Sequence, residues 1–197
     1  MPIVIASRRI AYDTLVRRFG FEALILDVTS RGPRPWVRVS PFYPHGSIPV
    51  PFSPGVFGAS VEGIWQGLKV FEHADVDRAT LAITSMHSIK RSARTYGHVL
   101  GHRAGITGDR LLSYAQARRQ IYLPSYKWVL EHCLGDEIER IRGMAADHTV
   151  VLLDYETNAD VDDLSRPLSH ASLIKRYLDS TWPISNDEAG GKHPNAE

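Results

Sequence analysis

The chain has 197 residues, 43% of them hydrophobic and 23% charged, and its formal net charge is +1. This composition predicts a single globular domain and argues against a broadly basic surface for nucleic acid. The lone cysteine, Cys133, excludes an internal disulfide framework and fits a reducing compartment. Since no apolar run approaches the roughly 20 residues of a membrane span, we expect a soluble, cytoplasmic protein. We assign residues 1–182 to the domain and residues 183–197 to a disordered tail.

Apolar patterns in the first quarter of the chain predict strands and one helix. The expected elements are strands at residues 3–6, 23–28 and 36–39, the last two paired, and a helix at residues 10–19 that ends at Gly20. Five prolines between residues 41 and 54 then favour extended and turn conformations. Inside a compact domain, such a segment is typical of a functional loop.

The most informative segment, residues 60–69, reads Ser-Val-Glu-Gly-Ile-Trp-Gln-Gly-Leu-Lys. Ser60 is the expected N-cap of a helix. Gly63 and Gly67 lower helix propensity, so their presence on one flank predicts a close approach by backbone or a ligand. Helical spacing places four polar side chains on one side as a polar stripe, namely Glu62, Gln66, Lys69 and His73. If this polar stripe faces water, the segment is an ordinary amphipathic helix.

The second half of the chain predicts mostly helices. Residues 79–91 are ambiguous, and residues 90–103 hold four Arg or Lys and two His among glycines, a pattern suited to pyrophosphate. The later elements are a helix at 110–122 capped by Asp109, a helix from Pro124 to about residue 146, a strand at 150–155 and a helix at 167–178. Together these elements predict one compact α+β (α/β-like) domain with long helices around a small sheet.

Residues 154–162 carry an oxygen-bearing side chain at every second position. An EF-hand started there would need Gly at its sixth position and Glu at its twelfth, and neither is present, so we expect an acidic loop without that calcium site. Loops at strand ends often carry binding residues, and Asp154 and Asn158 are the candidates here. His170 lies at the start of the last predicted helix, where anions bind.

Glu62 and Lys69 are suited to glycosidic chemistry. A carboxylate can stabilise the positive charge that develops on the ribose carbon and can activate water. A lysine can hold a phosphate, or it can attack the anomeric carbon as a neutral amine where burial lowers its pKa. Nothing in the sequence predicts a lowered pKa for Lys69, so we favour its phosphate-binding or orienting role. Trp65 and Tyr43 are suited to stacking against a base.

The order of these motifs resembles the NADAR family, which is named for its proposed link to NAD and ADP-ribose. The matching residues are Ser40, Phe42, Tyr43 and Pro44, followed by Val61, Glu62, Gln66 and Lys69. Trp65 stands where that family usually has tyrosine. The resemblance covers about residues 36–75, and the family's late Asp-x-x-Trp-Gly segment is absent from this chain.

The resemblance implies a hydrolase that cleaves an N-glycosidic bond in an ADP-ribose-like or nucleotide-derived substrate, such as an ADP-ribosylated base. We assign catalysis to Glu62, Lys69 and Asp154. The substrate-binding candidates are Tyr43, Trp65, Gln66, Arg103, Asn158 and His170. We expect neither a metal nor a cofactor, because a carboxylate and water suffice for this reaction. The alternatives are a noncatalytic module that binds NAD or ADP-ribose and a structural or partner-binding protein.

Overall fold

The buried interior contains a three-stranded parallel sheet. In this computed structural model, which describes residues 2–183, the strands are β1 (Ile3–Ser7), β2 (Leu24–Asp27) and β8 (Val150–Asp154), in the order β1-β8-β2. Ile3 and Leu24 both pair with Val150, so the strands start level and their carboxyl ends meet at one edge. The central strand β8 is buried along its whole length, as expected for a parallel sheet.

Two further sheets are antiparallel. One consists of β3 (Ile48–Pro49) and β4 (Phe57–Gly58). The other has the order β5-β6-β7, formed by β5 (Lys69–Phe71), β6 (Val99–Arg103) and β7 (Leu111–Leu112). The α+β class is therefore confirmed, although three small sheets replace the single sheet that we expected.

Helices cover both faces of the parallel sheet. They are α1 (Tyr12–Phe19), α2 (Val61–Gly67), α3 (Arg78–Leu81), α4 (Ala93–Tyr96), α5 (Tyr114–Ala117), a π-helical segment (Arg118–Tyr122), α6 (Leu123–His132), α7 (Gly135–Asp147) and α8 (His170–Leu178). Alternate residues of a strand point to opposite faces. Val150 and Leu152 join the main hydrophobic core, whereas Val151 and Leu153 pack with Leu15 of α1 in a smaller cluster. This two-sided burial explains the unbroken apolar run of β8.

Residues 36–39 do not form the predicted strand paired with β2. They form a short 3-10 helix, Trp36–Val39. Because a 3-10 helix has three residues per turn, Trp36 and Val39 lie on the same side, and both are buried. Arg38 donates to Glu137 and to the carbonyl oxygen of Cys133. The apolar spacing of this segment therefore fits a tight helix as well as a strand.

The helix predicted for residues 110–122 begins later than expected. Residues 111–112 form β7, and Ser113 rather than Asp109 is the N-cap. Its hydroxyl accepts from the backbone N–H of Gln116, whose side chain accepts from the backbone N–H of Ser113, which is a capping box. The long helix predicted from Pro124 to residue 146 is divided at residues 133–134 into α6 and α7.

The helix that begins after Ser60 is shorter than predicted. Ser60 is its N-cap, as expected, and accepts from the backbone N–H of Gly63 at 2.9 Å. At the other end, the carbonyl oxygen of Gln66 accepts from Arg91 and that of Gly67 from the backbone N–H of Asp77. These partners replace a further helical turn, and the chain enters β5.

The structure also decides the predictions for His73 and for the two glycines of α2. His73 lies beyond β5, where its backbone N–H donates to Tyr96, so it does not continue the polar stripe. The close approach predicted at the glycines is confirmed: a Cβ at Gly67 would lie 2.7 Å from the Leu81 side chain, and one at Gly63 would lie 3.0 Å from Ser60 Oγ and 3.2 Å from the Thr80 carbonyl oxygen. Backbone and side-chain packing, rather than a ligand, account for both glycines.

The tail predicted to be disordered, residues 183–197, lies outside the described residues except for Pro183. Between residues 2 and 183, no helix combines the length and the apolar character that crossing a membrane requires.

Candidate functional site

A cleft of about 650 Å³ lies between the carboxyl edge of the parallel sheet and α2. Its lining includes residues that directly follow the three parallel strands, among them Arg9 after β1, Thr29 after β2 and Tyr155 after β8. The carboxyl ends of parallel strands are where α/β proteins commonly bind ligands. We refer to this feature as the cleft.

The cleft contains six of the nine predicted site residues: Glu62, Trp65, Gln66, Lys69, Asp154 and His170. They come from α2, β5, the end of β8 and the start of α8. The polar stripe of α2 therefore faces a concave surface, as the functional interpretation of that helix requires.

Three of these side chains form a hydrogen-bonded chain that we call the Glu–Gln–Lys triad. Gln66 Nε2 donates to Glu62 Oε1 at 2.9 Å, and Lys69 Nζ donates to Gln66 Oε1 at 3.1 Å. The backbone N–H of Arg91 donates to the same Gln66 oxygen at 3.2 Å. Since a backbone N–H can only donate, the amide oxygen of Gln66 must face it and the amide nitrogen must face Glu62. The triad thus presents a donor to the Glu62 carboxylate.

Burial changes the protonation of both ends of the triad. It raises the pKa of Glu62 above the ordinary value of 4.5, against the opposing effects of the Gln66 hydrogen bond and the charges of Lys90 and Lys69. Burial lowers the pKa of Lys69; the charge of Glu62 opposes this shift, and Arg91 and Lys90 add to it. The sequence alone predicted no lowered pKa for Lys69, because burial of the amine and its neighbouring cations, about 20 residues further along the chain, both depend on the fold.

Asp154 lines the cleft, but its carboxylate is already engaged. Oδ2 accepts from the Ser169 hydroxyl at 2.8 Å and from the backbone N–H of Ala171 at 3.3 Å, and it lies 2.9 Å from Nδ1 of His170. Oδ1 accepts from the backbone N–H of Tyr155 at 2.7 Å. This geometry ties Asp154 to the start of α8, and its catalytic role stays a prediction.

His170 is held as an imidazolium. Its Nε2 lies 2.9 Å from the carbonyl oxygen of Val28, which can only accept, while Nδ1 faces Asp154, so both nitrogens donate. Burial alone would lower the pKa of His170, but the charge and hydrogen bond of Asp154 raise it above 6.5. Burial would raise the pKa of Asp154, yet His170 and its other donors bring it down to about 2. With both nitrogens occupied, His170 has no donor left for a substrate.

Basic side chains of the cleft lack acidic partners. Arg9, Lys69, Lys90, Arg91 and Arg118 all line it, and none of them forms a salt bridge within residues 2–183. The nearby Arg8 and Arg103, in contrast, pair with Asp27 and Asp75. The cleft therefore carries positive charge that an anionic ligand would balance.

Three predicted binding residues lie outside the cleft lining. The ring of Tyr43 packs 4.8 Å from that of His45. Arg103 belongs to β6 and pairs with Asp75, so the second half of residues 90–103 is a strand and not a loop. Asn158 is buried, and its Nδ2 donates to two carbonyl oxygens of its own loop. These three residues make contacts within the protein and do not line the cleft, so their binding roles stay predictions.

Sequence reasoning missed Arg118. This residue lies in the π-helical segment, is 2% exposed, and donates to the carbonyl oxygens of Val161, Asp163 and Arg166. It thereby holds the acidic loop beside the cleft. A π-helical segment often marks a functional site, but no local sequence pattern predicts one.

The fold and the cleft define an α+β protein with a cationic, partly aromatic cleft at the end of a parallel sheet. The chain belongs to a family of unknown function, DUF6939, whose model matches residues 7–174. That range includes the Glu–Gln–Lys triad and the Asp154–His170 pair. No curated protein and no solved structure matches the chain.

Proposed function

We propose that this protein is an N-glycosidase that acts on an ADP-ribose-like or nucleotide-derived substrate. The observation that carries the proposal is the Glu–Gln–Lys triad, which places a buried carboxylate and a lysine of lowered pKa in one cleft. The resemblance of residues 36–75 to the NADAR family supports the same reaction class, since Glu62, Gln66 and Lys69 are among the matching positions.

In the proposed reaction, the ribose lies over Glu62. As the bond to the base breaks, positive charge develops on the anomeric carbon, and an adjacent carboxylate stabilises that charge. Gln66 keeps Glu62 in place and donates to one of its oxygens, which leaves the other oxygen for substrate or water. Glu62 takes a proton from the water that completes the hydrolysis, and the released base takes up a proton.

The charge and the aromatic content of the cleft support a nucleotide-derived substrate. Arg9 and Lys90 line the cleft without a salt bridge and are suited to one or more phosphate groups, whereas Arg91 and Arg118 already donate to backbone carbonyl oxygens. Phe42, Trp65, Tyr114, Tyr122 and Tyr155 supply aromatic surface in the same lining. Phosphate and a planar base are the two parts of a nucleotide that these groups recognise.

Incubation with NAD, ADP-ribose adducts and nucleosides, followed by mass spectrometry, tests the proposal. A free base together with the matching ribose product supports an N-glycosidase. Tight binding of ADP-ribose without product would favour the noncatalytic module. An intact fold that binds none of these compounds would favour a structural or partner-binding protein.

Substitution of Lys69 separates its two possible roles. The lowered pKa increases the neutral fraction of the amine, so we expect Lys69 to attack the anomeric carbon as the base leaves. The resulting glycosylamine loses a proton and opens to an imine as the ring oxygen takes up a proton, and water activated by Glu62 then hydrolyses the imine. Arginine keeps the charge but cannot form this imine. Lys69→Arg should therefore lose at least about 100-fold in turnover, and borohydride should trap a covalent adduct on the unsubstituted protein.

The matched control for this experiment is Lys175→Arg, because Lys175 is an exposed lysine paired with Asp179 on α8, away from the cleft lining. This variant should keep full activity. An active Lys69→Arg variant, together with no trapped adduct, would leave Lys69 only its phosphate-binding or orienting role.

Chelation should not abolish the activity. Within residues 2–183, no group of three or more His, Cys, Asp or Glu side chains is arranged to hold a metal ion. In the acidic loop, Asn158 and Asp160 each accept from a backbone N–H two residues further along. We expect turnover to survive EDTA, because carboxylate-assisted hydrolysis needs no Lewis acid. Loss on chelation that Mg²⁺ or Ca²⁺ restores, and that Asp160→Ala makes permanent, would identify the loop as a metal site.

A further inference from the structure

The indole ring of Trp65 is fixed on several sides by other rings. The centroid of the His102 ring lies 3.8 Å from that of Trp65 with an interplanar angle of 37°. Tyr114 and Tyr122 meet Trp65 edge-on, with centroids at 5.7 Å and 5.9 Å. Edge-to-face and offset contacts of this kind are the favourable aromatic geometries. Trp65 is only partly buried and also lines the cleft, so part of its side chain is accessible to a ligand there.

His102 is an unusual neighbour for this ring. It lies on β6 opposite Lys69 and Leu112, and it is 1% exposed. Neither ring nitrogen has a hydrogen-bond partner in the described part of the chain. Burial, assisted by the charge of Lys69, lowers the pKa of His102 to about 3, so the ring is neutral. Burying a polar group without a hydrogen-bond partner costs folding free energy, so packing alone would favour an apolar side chain at position 102.

Trp65 is also placed next to the proposed reaction. It lies on α2 between Glu62 and Gln66, three residues after the first and directly before the second. A planar group stacked on Trp65 therefore lies beside the bond that Glu62 addresses, and not at a distant end of the ligand. In an N-glycoside, the planar group at that bond is the base.

We infer that Trp65 is the stacking platform for the base that leaves, and that His102 is the positioning residue that fixes the platform from behind. The inference rests on the proposed function for the identity of the base as the leaving group. His102 does not line the cleft, so it acts through Trp65 and touches no substrate. The ligand class is a planar heteroaromatic ring joined to a phosphorylated ribose.

The test compares ligands that differ only in the ring. Binding of adenosine and guanosine 5′-monophosphates is compared with that of ribose 5-phosphate by calorimetry, in the Glu62→Gln background so that cleavage is slow during the titration. Stacking on an aromatic side chain contributes about 1–3 kcal/mol per base, or about 5- to 150-fold. We expect at least one nucleotide to bind ten-fold or more tightly than ribose 5-phosphate.

Substitutions then assign this preference to the two rings. Trp65→Leu and His102→Leu keep apolar volume but remove the ring, and each should reduce the preference below about three-fold while affinity for ribose 5-phosphate stays the same. Trp65→Phe and His102→Phe keep a flat ring and should retain most of the preference. Circular dichroism and thermal unfolding establish that each variant is folded.

The outcomes distinguish this inference from the proposed function. Equal affinity for the nucleotides and ribose 5-phosphate, or a preference that survives Trp65→Leu, overturns the platform. An equal loss for all ligands in His102→Leu makes His102 merely structural. A nucleotide preference without cleavage of any substrate overturns the N-glycosidase and keeps the platform. Cleavage with a KM that Trp65→Leu leaves unchanged overturns the platform alone.

Discussion

Glu62→Gln should lower turnover by at least two orders of magnitude while the protein remains folded. Loss of a catalytic carboxylate typically costs roughly 10²–10⁴-fold. The substitution is nearly isosteric, and the new amide oxygen can still accept from Gln66 Nε2, so the hydrogen bond within α2 survives. What disappears is the negative charge beneath the ribose. Turnover is measured on whichever substrate the mass-spectrometric panel identifies, and folding is measured by thermal unfolding.

The matched control is Glu156→Gln, which removes a second carboxylate from the cleft lining. This variant should lose less than about ten-fold, because Glu156 is not part of the Glu–Gln–Lys triad. Equal losses in the two variants would mean that the net charge of the cleft matters and that Glu62 has no special role. Full activity of Glu62→Gln would remove Glu62 from the mechanism altogether.

The pH dependence provides an independent check on Glu62. Because burial raises its pKa, the carboxylate form is lost as the pH falls through a value above 4.5. The profile of kcat/KM should therefore decline on its acidic side above pH 4.5, and the residual activity of Glu62→Gln should lack that decline. If the decline at acidic pH is unchanged in Glu62→Gln, the group that titrates there is not Glu62.

The parts of the fold that sequence reasoning predicted are those set by local patterns. The apolar run of β8, the Ser60 cap and the polar side chains of α2 depend on spacing within a few residues, and all three are confirmed. The end of α2 depends instead on Arg91 and Asp77, which satisfy its last carbonyl groups from other segments. No periodicity within residues 60–73 contains that information.

The residues of the candidate site also fall into those that local spacing predicts and those that only the tertiary fold brings together. The Glu–Gln–Lys triad was visible because its members lie on adjacent turns and the start of the next strand. The ring of His102 behind Trp65 was not visible, because 37 positions separate the two residues and only the pairing of β5 with β6 brings them together. Asp154 was found for its position at a strand end, but its role depends on His170, which arrives from α8. Residue types and local spacing therefore identify candidate residues, whereas the contacts of each side chain depend on the tertiary fold.

Asp154→Ala should cause the largest loss of stability among these variants. It would leave the buried His170 imidazolium without its carboxylate, and breaking a buried ion pair from one side typically costs about 3–5 kcal/mol. Asp154→Asn should also destabilise the protein, because each oxygen of Asp154 accepts from a backbone N–H and an amide nitrogen in either place would face a donor. As a control, Asp179→Ala removes an exposed pair with Lys175 on α8 and should cost at most about 1 kcal/mol.

The pH dependence of this loss follows from the two pKa shifts. Asp154 has a pKa of about 2 in the folded protein against an ordinary value of 3.8, so its contribution is present above pH 3.8 and is lost as the pH falls toward 2. His170 has a raised pKa, so its contribution is complete below pH 6.5 and is lost as the pH rises through that raised value. The difference in unfolding free energy between wild type and Asp154→Ala, measured by urea denaturation, should therefore be largest between about pH 4 and pH 6.5. A difference that is flat with pH, or no larger than that of Asp179→Ala, would show that the pair adds nothing beyond an exposed salt bridge.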